Sequence, residues 1–180
     1  MYSSALRMIK AQRLHLIAAT PELIRKDIEG HAILGEALDA IVPDSWPPDL
    51  YGARAMHFAL EQLEEISERG WWFWYLLTAA QPAELVGICG FKGRPDASGS
   101  VEIGYSILAE HRRQGYATEA VACLVAWAFL HHNVTEVCAE TFPHLAQSIQ
   151  VLKKNGFELT GPGSETGVIR YAIKRSKLNS

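Results

Sequence analysis

Val101-Glu102-Ile103-Gly104-Tyr105-Ser106-Ile107-Leu108-Ala109-Glu110-His111-Arg112-Arg113-Gln114-Gly115-Tyr116-Ala117-Thr118-Glu119-Ala120 is the most informative stretch of this chain. It alternates as a strand as far as Leu108, turns through a short basic segment with a glycine, and opens a long helix. From Gly115 to about His132 one helical face carries Val121, Leu124, Val125, Ala128 and Phe129, and the opposite face carries Ala122, Cys123, Ala126, Trp127 and Leu130. A helix apolar nearly all round is expected to be central and buried. The free N–H groups at a helix start, together with the positive end of the macrodipole, form an anion site for which pyrophosphate is a natural guest. Gly115 allows close backbone approach, Ala117 keeps the next position small, and Arg112 and Arg113 add local positive charge. On mechanics alone, a solvated turn before a core helix explains the same residues equally well.

Working outward, Arg13 to Ala19 predicts a first strand, and Thr20-Pro21-Glu22 an N-cap with Pro at the first helical position of a segment reaching about Glu29. A second helical stretch, His31 to Leu38, stops near Val42-Pro43-Asp44-Ser45-Trp46-Pro47-Pro48, where three prolines forbid a continuous helix. Asp49 is placed to cap a helix running to about Arg69. Trp71–Thr78, Leu85–Phe91, Val101–Leu108, Val134–Thr141, Phe157–Thr160 and Val168–Lys174 read as strands, and Leu145–Asn155 as a short helix with Gly156 past its end. The order is mixed αβ without internal repeats.

At 180 residues the chain is one domain by default, and 48% hydrophobic with 21% charged residues exclude a disordered or collagen-like chain. The 17 basic against 20 acidic residues give a net charge of −3, which offers no global case for a nucleic-acid partner. Cys89, Cys123 and Cys138 are widely spaced in apolar runs, which argues against a disulfide framework or structural zinc. No run reaches the roughly 18 to 20 apolar residues of a membrane span, and the start lacks a signal-peptide pattern. The expectation is a cytoplasmic protein with no membrane partner.

Arg112-x-x-Gly115-x-Ala117 matches the [Arg/Gln]-x-x-Gly-x-[Gly/Ala] signature of the GNAT superfamily of acyl-CoA-dependent N-acetyltransferases, and Glu102-Ile103-Gly104-Tyr105 looks like that family's central strand. The run through Glu119-Ala120 is similar to the branch containing ribosomal-protein N-terminal acetyltransferases. A second block, Ser148-Ile149-Gln150-Val151-Leu152-Lys153-Lys154-Asn155-Gly156-Phe157, resembles the family's helix leading into Gly-Phe. The resemblance covers Arg13 to Lys174 and is strongest from Glu102 to Phe157. It implies an α/β (α+β) fold in a single domain over 1–180, with its core at about 13–174. The central sheet would be mostly antiparallel, of about six or seven strands flanked by helices, and splayed at its two central parallel strands.

The resemblance also implies the chemistry. Acetyl-CoA would be the cosubstrate, with direct transfer to a primary amine in a ternary complex, no metal and no covalent enzyme intermediate. The backbone of Arg113, Gln114, Gly115, Tyr116, Ala117 and Thr118, beside Arg112, would hold the pyrophosphate, and Ser148 would join the cofactor site. The main chain of Ile107, Leu108 and Ala109 would pair with the pantetheine arm like an extra strand, and a backbone N–H near Ile107 or Leu108, here assigned to Leu108, would polarise the thioester carbonyl. Three positions depart from the family. Leu145 stands where relatives often have Asn, Leu152 where some have a Tyr general acid, and Ala109 where Pro is frequent.

An attacking amine must be neutral, so a base is useful. Strand alternation puts Glu102, Gly104 and Ser106 on one face and Ile103, Tyr105 and Ile107 on the other, which makes Glu102 the leading candidate. Its plain alternative is an exposed strand carboxylate. His144, just before the second block, is a secondary base candidate, with surface packing as its default. Glu119 is explained by favourable placement at a helix start. Trp46, in the Pro-rich loop over the region that covers the acceptor in this family, reads equally as a wall of the substrate pocket and as an anchor to the core. The acceptor is expected to be a protein or peptide N-terminus or a small-molecule amine, and the enzyme a monomer or homodimer. The missing Asn and Tyr favour a competing class, a non-catalytic acyl-CoA-binding or sensing domain, and a binding module with no CoA site is the third reading.

Overall fold

Each apolar run finds its place in a sheet with helices on both faces. A computed structural model describes residues 7–176. Along them run β1 (Met8–Lys10), β2 (Leu14–Ala18), α1 (Pro21–Glu29), α2 (His31–Leu38), β3 (Ala40–Ile41), α3 (Ala53–Leu63), β4 (Phe73–Thr78) and β5 (Ala83–Phe91). Then come β6 (Ser100–Ile107), α4 (Tyr116–Phe129), β7 (Glu136–Thr141), α5 (Ala146–Lys154), β8 (Glu158–Pro162) and β9 (Ile169–Lys174). The sheet order is β1-β2-β4-β5-β6-β7-β9-β8, antiparallel throughout except for the β6–β7 pair, and β3 adds a short parallel contact to β5. The sheet is thus larger than the expected six or seven strands. β1 and β3, with three and two residues, are too short for alternation to show in a sequence.

Two apolar clusters follow from the period of two along the strands. On one face Leu14, Leu16, Trp74, Leu76, Val86, Cys89, Ile103 and Val137 pack against Val121, Leu124, Val125 and Ala128 of α4 and Leu152 of α5. On the other, Ile17, Tyr75, Leu77, Leu85 and Ile88 pack against Leu23 and Ile24 of α1, Leu34 and Leu38 of α2, and Met56, Ala59 and Leu63 of α3. Thr20 caps α1 by accepting a hydrogen bond from the Leu23 N–H, with Pro21 as its first residue. Helix α4 is less enclosed than its composition predicts. Ala122 and Ala126 are exposed and Leu130 just beyond its end is 76% exposed, so the apolar second face is only partly used.

The expectation that Asp49 caps a helix to Arg69 is corrected. α3 starts after Gly52 and ends at Leu63, a single 3-10 turn follows at Ile66–Glu68, and Asp49 lies outside it. The loop before α3 is instead fixed from below by a buried carboxylate. Asp27 on α1 accepts hydrogen bonds from Trp46 Nε1 at 2.8 Å, Tyr75 OH at 2.9 Å and Tyr51 OH at 3.4 Å. Burial raises the Asp27 carboxyl above its ordinary value of 3.8, against the lowering effect of the Trp46, Tyr75 and Tyr51 hydrogen bonds. Trp46 is 3% exposed and packs on Tyr51 and Tyr75. Of the two readings of this residue, the structure takes the core anchor.

Asp27→Ala leaves the Trp46 indole and Tyr75 phenol without their acceptor. At about 1–3 kcal/mol per stranded donor, urea unfolding should show a loss of about 2–6 kcal/mol. Because the folded-state value of Asp27 is raised, its stabilising contribution is fully present below about pH 3.8 and is lost as pH rises through that raised value. Asp27→Asn should therefore gain stability relative to wild type as pH increases from 4 to 7, and a pH-independent difference would contradict this account.

Candidate active site

The site begins where β6 and β7 part. They pair in parallel only at Ser100, Val101 and Glu102 with Glu136, Val137 and Cys138. β6 stays bound to β5 along its length and β7 to β9, so the two strands diverge as edges of two half-sheets. On the β5 side, the Leu108 N–H donates to Val86 C=O at 3.0 Å and the Lys92 N–H to Glu102 C=O at 2.9 Å. Antiparallel alternation then assigns the even-numbered main-chain groups of β6 to β5 and turns those of Tyr105 and Ile107 toward the gap. The expected polarising group is corrected accordingly: the Leu108 N–H is spent inside the sheet, and the N–H facing the opening is that of Ile107. The Ile107 C=O accepts from Arg112 Nε at 2.9 Å.

The gap leads into a cavity of about 450 Å³ lined by Tyr105, Ser106, Ile107, the loop and helix start at His111, Arg112, Arg113 and residues 115–118, and Gln147, Ser148, Gln150, Val151 and Lys154 of α5. Gln114 is not among those lining residues, and its C=O instead accepts from Arg13. Ala109 sits in a 3-10 turn, Ala109–His111, just beyond the strand, and does not line the cavity. Gly115 is the N-cap residue of α4 with φ +86°, and Arg113 also has a positive φ of 62°. This left-handed turn aims the loop so that the N–H groups of Tyr116, Ala117 and Thr118, which precede the first intrahelical donor of α4, face the cavity end. The Glu119 N–H closes the first turn onto Gly115 C=O at 3.1 Å.

What holds this loop comes from the far end of the chain. The Glu119 carboxylate accepts from the Arg13 backbone N–H at 2.7 Å and from Arg13 Nε at 2.9 Å, and Arg13 Nη1 donates to Gln114 C=O at 2.7 Å. The Arg13 guanidinium also lies 5.3 Å from the centre of the Tyr116 ring. Glu119 therefore does more than complement the helix dipole, and Arg13 was invisible in the sequence because its partners lie about a hundred residues away. Arg112 is engaged as well: Nη2 lies 2.6 Å from Asp49 Oδ2.

Strand alternation sets Tyr105 on the face opposite Glu102 and gives it no role in the site. Its hydroxyl lies 3.1 Å from Ser148 Oγ and donates to the Ser148 C=O at 3.2 Å, and both residues line the cavity. Burial pushes the Tyr105 phenol up to about 12, so it carries its proton at neutral pH. The departures Leu145 and Leu152 take simple structural places. Leu145 precedes α5 without a side-chain cap, and Leu152 is fully buried.

Glu102 lies on the face opposite α4 and forms an ion pair with Lys92 at 2.5 Å. It stands below the opening, on the last paired residue of β6. His144 is exposed, stacked on Phe142 at 5.5 Å, and does not line the cavity; nor does Trp46.

Comparison with known proteins agrees with this architecture. Residues 13–158 match the model of the acetyltransferase (GNAT) domain. YjdG of Bacillus subtilis, described as an uncharacterized N-acetyltransferase, is 30% identical over 120 residues, 67% of this chain and 71% of its own. The similarly described p20 of Bacillus licheniformis is 28% identical over 113 residues, 63% and 62% of the two chains. Among solved structures, the ribosomal L7/L12 α-N-protein acetyltransferase RimL in complex with coenzyme A gives a TM-score of 0.66 at 17% identity, covering 93% of this chain and 98% of its own. The ribosomal-protein-S5-alanine acetyltransferase of Vibrio fischeri gives 0.66 at 14% identity, covering 93% and 96%. At such identities the structural likeness speaks for the fold, while the domain match and the curated relatives speak for the family. The chain belongs to the GNAT family and is an acetyltransferase.

Proposed function

We propose that this enzyme transfers the acetyl group of acetyl-CoA directly to a primary amine within a ternary complex. The observation that carries the proposal is the continuity of the β6–β7 gap with the start of α4: main-chain donors at Ile107 and at Tyr116–Thr118 open on one cavity. The loop from Arg113 to Thr118 suits a pyrophosphate, and Tyr105 and Ile107 offer main-chain groups to an extended amide-bearing arm. The Ile107 N–H would draw charge onto the thioester oxygen as the amine adds to the carbonyl carbon. Glu102, below the gap, would receive the amine proton through a water. When the C–S bond breaks, the paired hydroxyls of Ser148 and Tyr105 would supply a hydrogen bond and a proton to the sulfur. In this arrangement Tyr105 does the work that a tyrosine at position 152 does in some relatives.

For the acceptor, we favour the α-amine of a peptide or protein. An α-amino group, with a reference pKa of about 7.7–8.0, yields its neutral form near neutral pH far more readily than a lysine at about 10.4. Two of the structural neighbours are named for acetylating ribosomal proteins, RimL at an α-amine. A coenzyme-A release assay comparing peptides with free N-termini, N-blocked lysine peptides and free small amines tests this directly. Turnover confined to small amines would move the acceptor to a metabolite, and preference for blocked lysine peptides would sink the α-amine reading.

Gly115→Glu places bulk and negative charge where the loop's left-handed turn meets Arg13, with a Cβ 3.1 Å from Arg13 Nη2. Calorimetry should show acetyl-CoA binding abolished while circular dichroism shows the fold intact. Unchanged affinity would remove the pyrophosphate assignment.

Glu102→Gln should lower kcat by about 10²- to 10⁴-fold with little change in acetyl-CoA affinity, the usual range for lost general-base catalysis. Tyr105→Phe should lower kcat by about 10²-fold and spare binding. Wild-type turnover in either variant at pH 7 would strip that residue of its role.

A further inference from the structure

The loop between β3 and α3 is pinned from beneath. Its two ends are sunk in the core by Trp46 and Tyr51, both hydrogen-bonded to Asp27. Between these anchors the chain is thrown outward, and its outermost residues, Asp49 and Leu50, line the same cavity as the α4 start. Leu50 is 96% exposed and has φ +69°, the left-handed region that a leucine rarely adopts. A branched apolar side chain held in strain at the mouth of a cavity, with its whole surface in water, has a place prepared for it but no partner yet. Asp49, whose side chain is 76% exposed, is paired with Arg112 at 2.6 Å, and Ser45 at the foot of the loop bonds the Glu110 carboxylate.

We propose that Asp49 and Leu50 form a strap belonging to the acyl-CoA site, an inference that rests on the reading of this cavity given above. In the free enzyme the Asp49 carboxylate occupies the Arg112 guanidinium. A diphosphate at the α4 start brings negative charge beside Asp49 and competes for the same cation, so Asp49 leaves Arg112 as the cosubstrate binds. The released strap then turns Leu50 onto the apolar part of the pantetheine arm. Asp49 therefore opposes cosubstrate binding and Leu50 supports it, although the two are adjacent and equally remote from the core.

Calorimetric titration of the full chain with acetyl-CoA separates the two roles. Asp49→Asn should bind about 2- to 5-fold more tightly than wild type at low ionic strength, the scale of an exposed ion pair, and the gain should shrink in 0.5 M salt. Leu50→Ser should bind about 5- to 10-fold more weakly, independent of salt. Equal or weaker acetyl-CoA binding by Asp49→Asn overturns the competition, and unchanged binding by Leu50→Ser overturns the strap. Failure of the wild-type protein to bind acetyl-CoA would instead remove the underlying reading of the cavity, and the strap with it. Both side chains are exposed, so a folding defect does not confuse these outcomes.

Discussion

Three residue pairs hold β6 to β7, and the parting of the strands above them governs the rest of the molecule. A backbone N–H or C=O turned toward a missing strand costs free energy unless water or a ligand meets it. The fold keeps such groups open at Tyr105 and at the Ile107 N–H because each strand is claimed by its outer neighbour, β6 by β5 over five registered pairs and β7 by β9 over six. The apolar cluster beneath does not split with the sheet. Val121, Leu124 and Leu152 bridge the two halves from α4 and α5, so the gap is a local wedge in a continuous core.

The same economy explains the loop after β6. A left-handed turn at Arg113 and Gly115 is needed to swing the chain from the strand into α4, and such a turn is costly to hold without outside support. Arg13 supplies it by binding the Gln114 carbonyl and the Glu119 carboxylate together, joining the loop to β2 at the opposite side of the sheet's centre. Arg112 performs a related task from within, tying Ile107 C=O to the loop through its Nε. An arginine that looked like a phosphate ligand is thus first a brace, with only part of its guanidinium left to serve an anion.

The pattern of what could be read from the chain follows from range. Local signals survived: Thr20 and Pro21 start a helix, Gly156 with φ +79° ends one, and the Arg112 to Ala117 spacing marks the loop. Strand phase did not survive. Side-chain alternation tells which face Leu108 occupies, but not which neighbouring strand its N–H bonds, and that choice turns the Ile107 N–H rather than the Leu108 N–H toward the gap. Partners distant in sequence were equally hidden. Asp49 looked like a helix cap because Arg112 is 63 positions away, and Tyr105 carried no site role because Ser148 is 43 away. Leu145 and Leu152 read as missing polar groups. The structure supplies a hydroxyl pair, Tyr105 of β6 with Ser148 of α5, one turn of helix before Leu152.

Direct transfer also asks that two substrates reach one gap without obstructing each other, and the two faces of the sheet differ in a way that suits this. α4 and α5 flank the cavity on the Tyr105 face, where the cosubstrate would enter. The cluster formed with α1, α2 and α3 on the other face includes no residue of β7, β8 or β9. There the β6 positions are Glu102, Gly104 and Ser106, and a Cβ added at Gly104 would touch nothing within 4 Å. The carboxylates nearby are already partnered, Glu102 by Lys92, Glu136 by Arg170 and Glu140 by hydrogen bonds from Ser164, so an arriving amine meets an ordered polar floor rather than stranded carboxylates. On the proposed mechanism, the amine therefore crosses an open glycine to reach the carbonyl from one face while the thiolate departs toward Ser148 and Tyr105 on the other. Acceptor and cosubstrate would thus approach from opposite faces of β6, and nitrogen and sulfur would meet only at the carbonyl carbon, where the C–N bond forms and the C–S bond breaks.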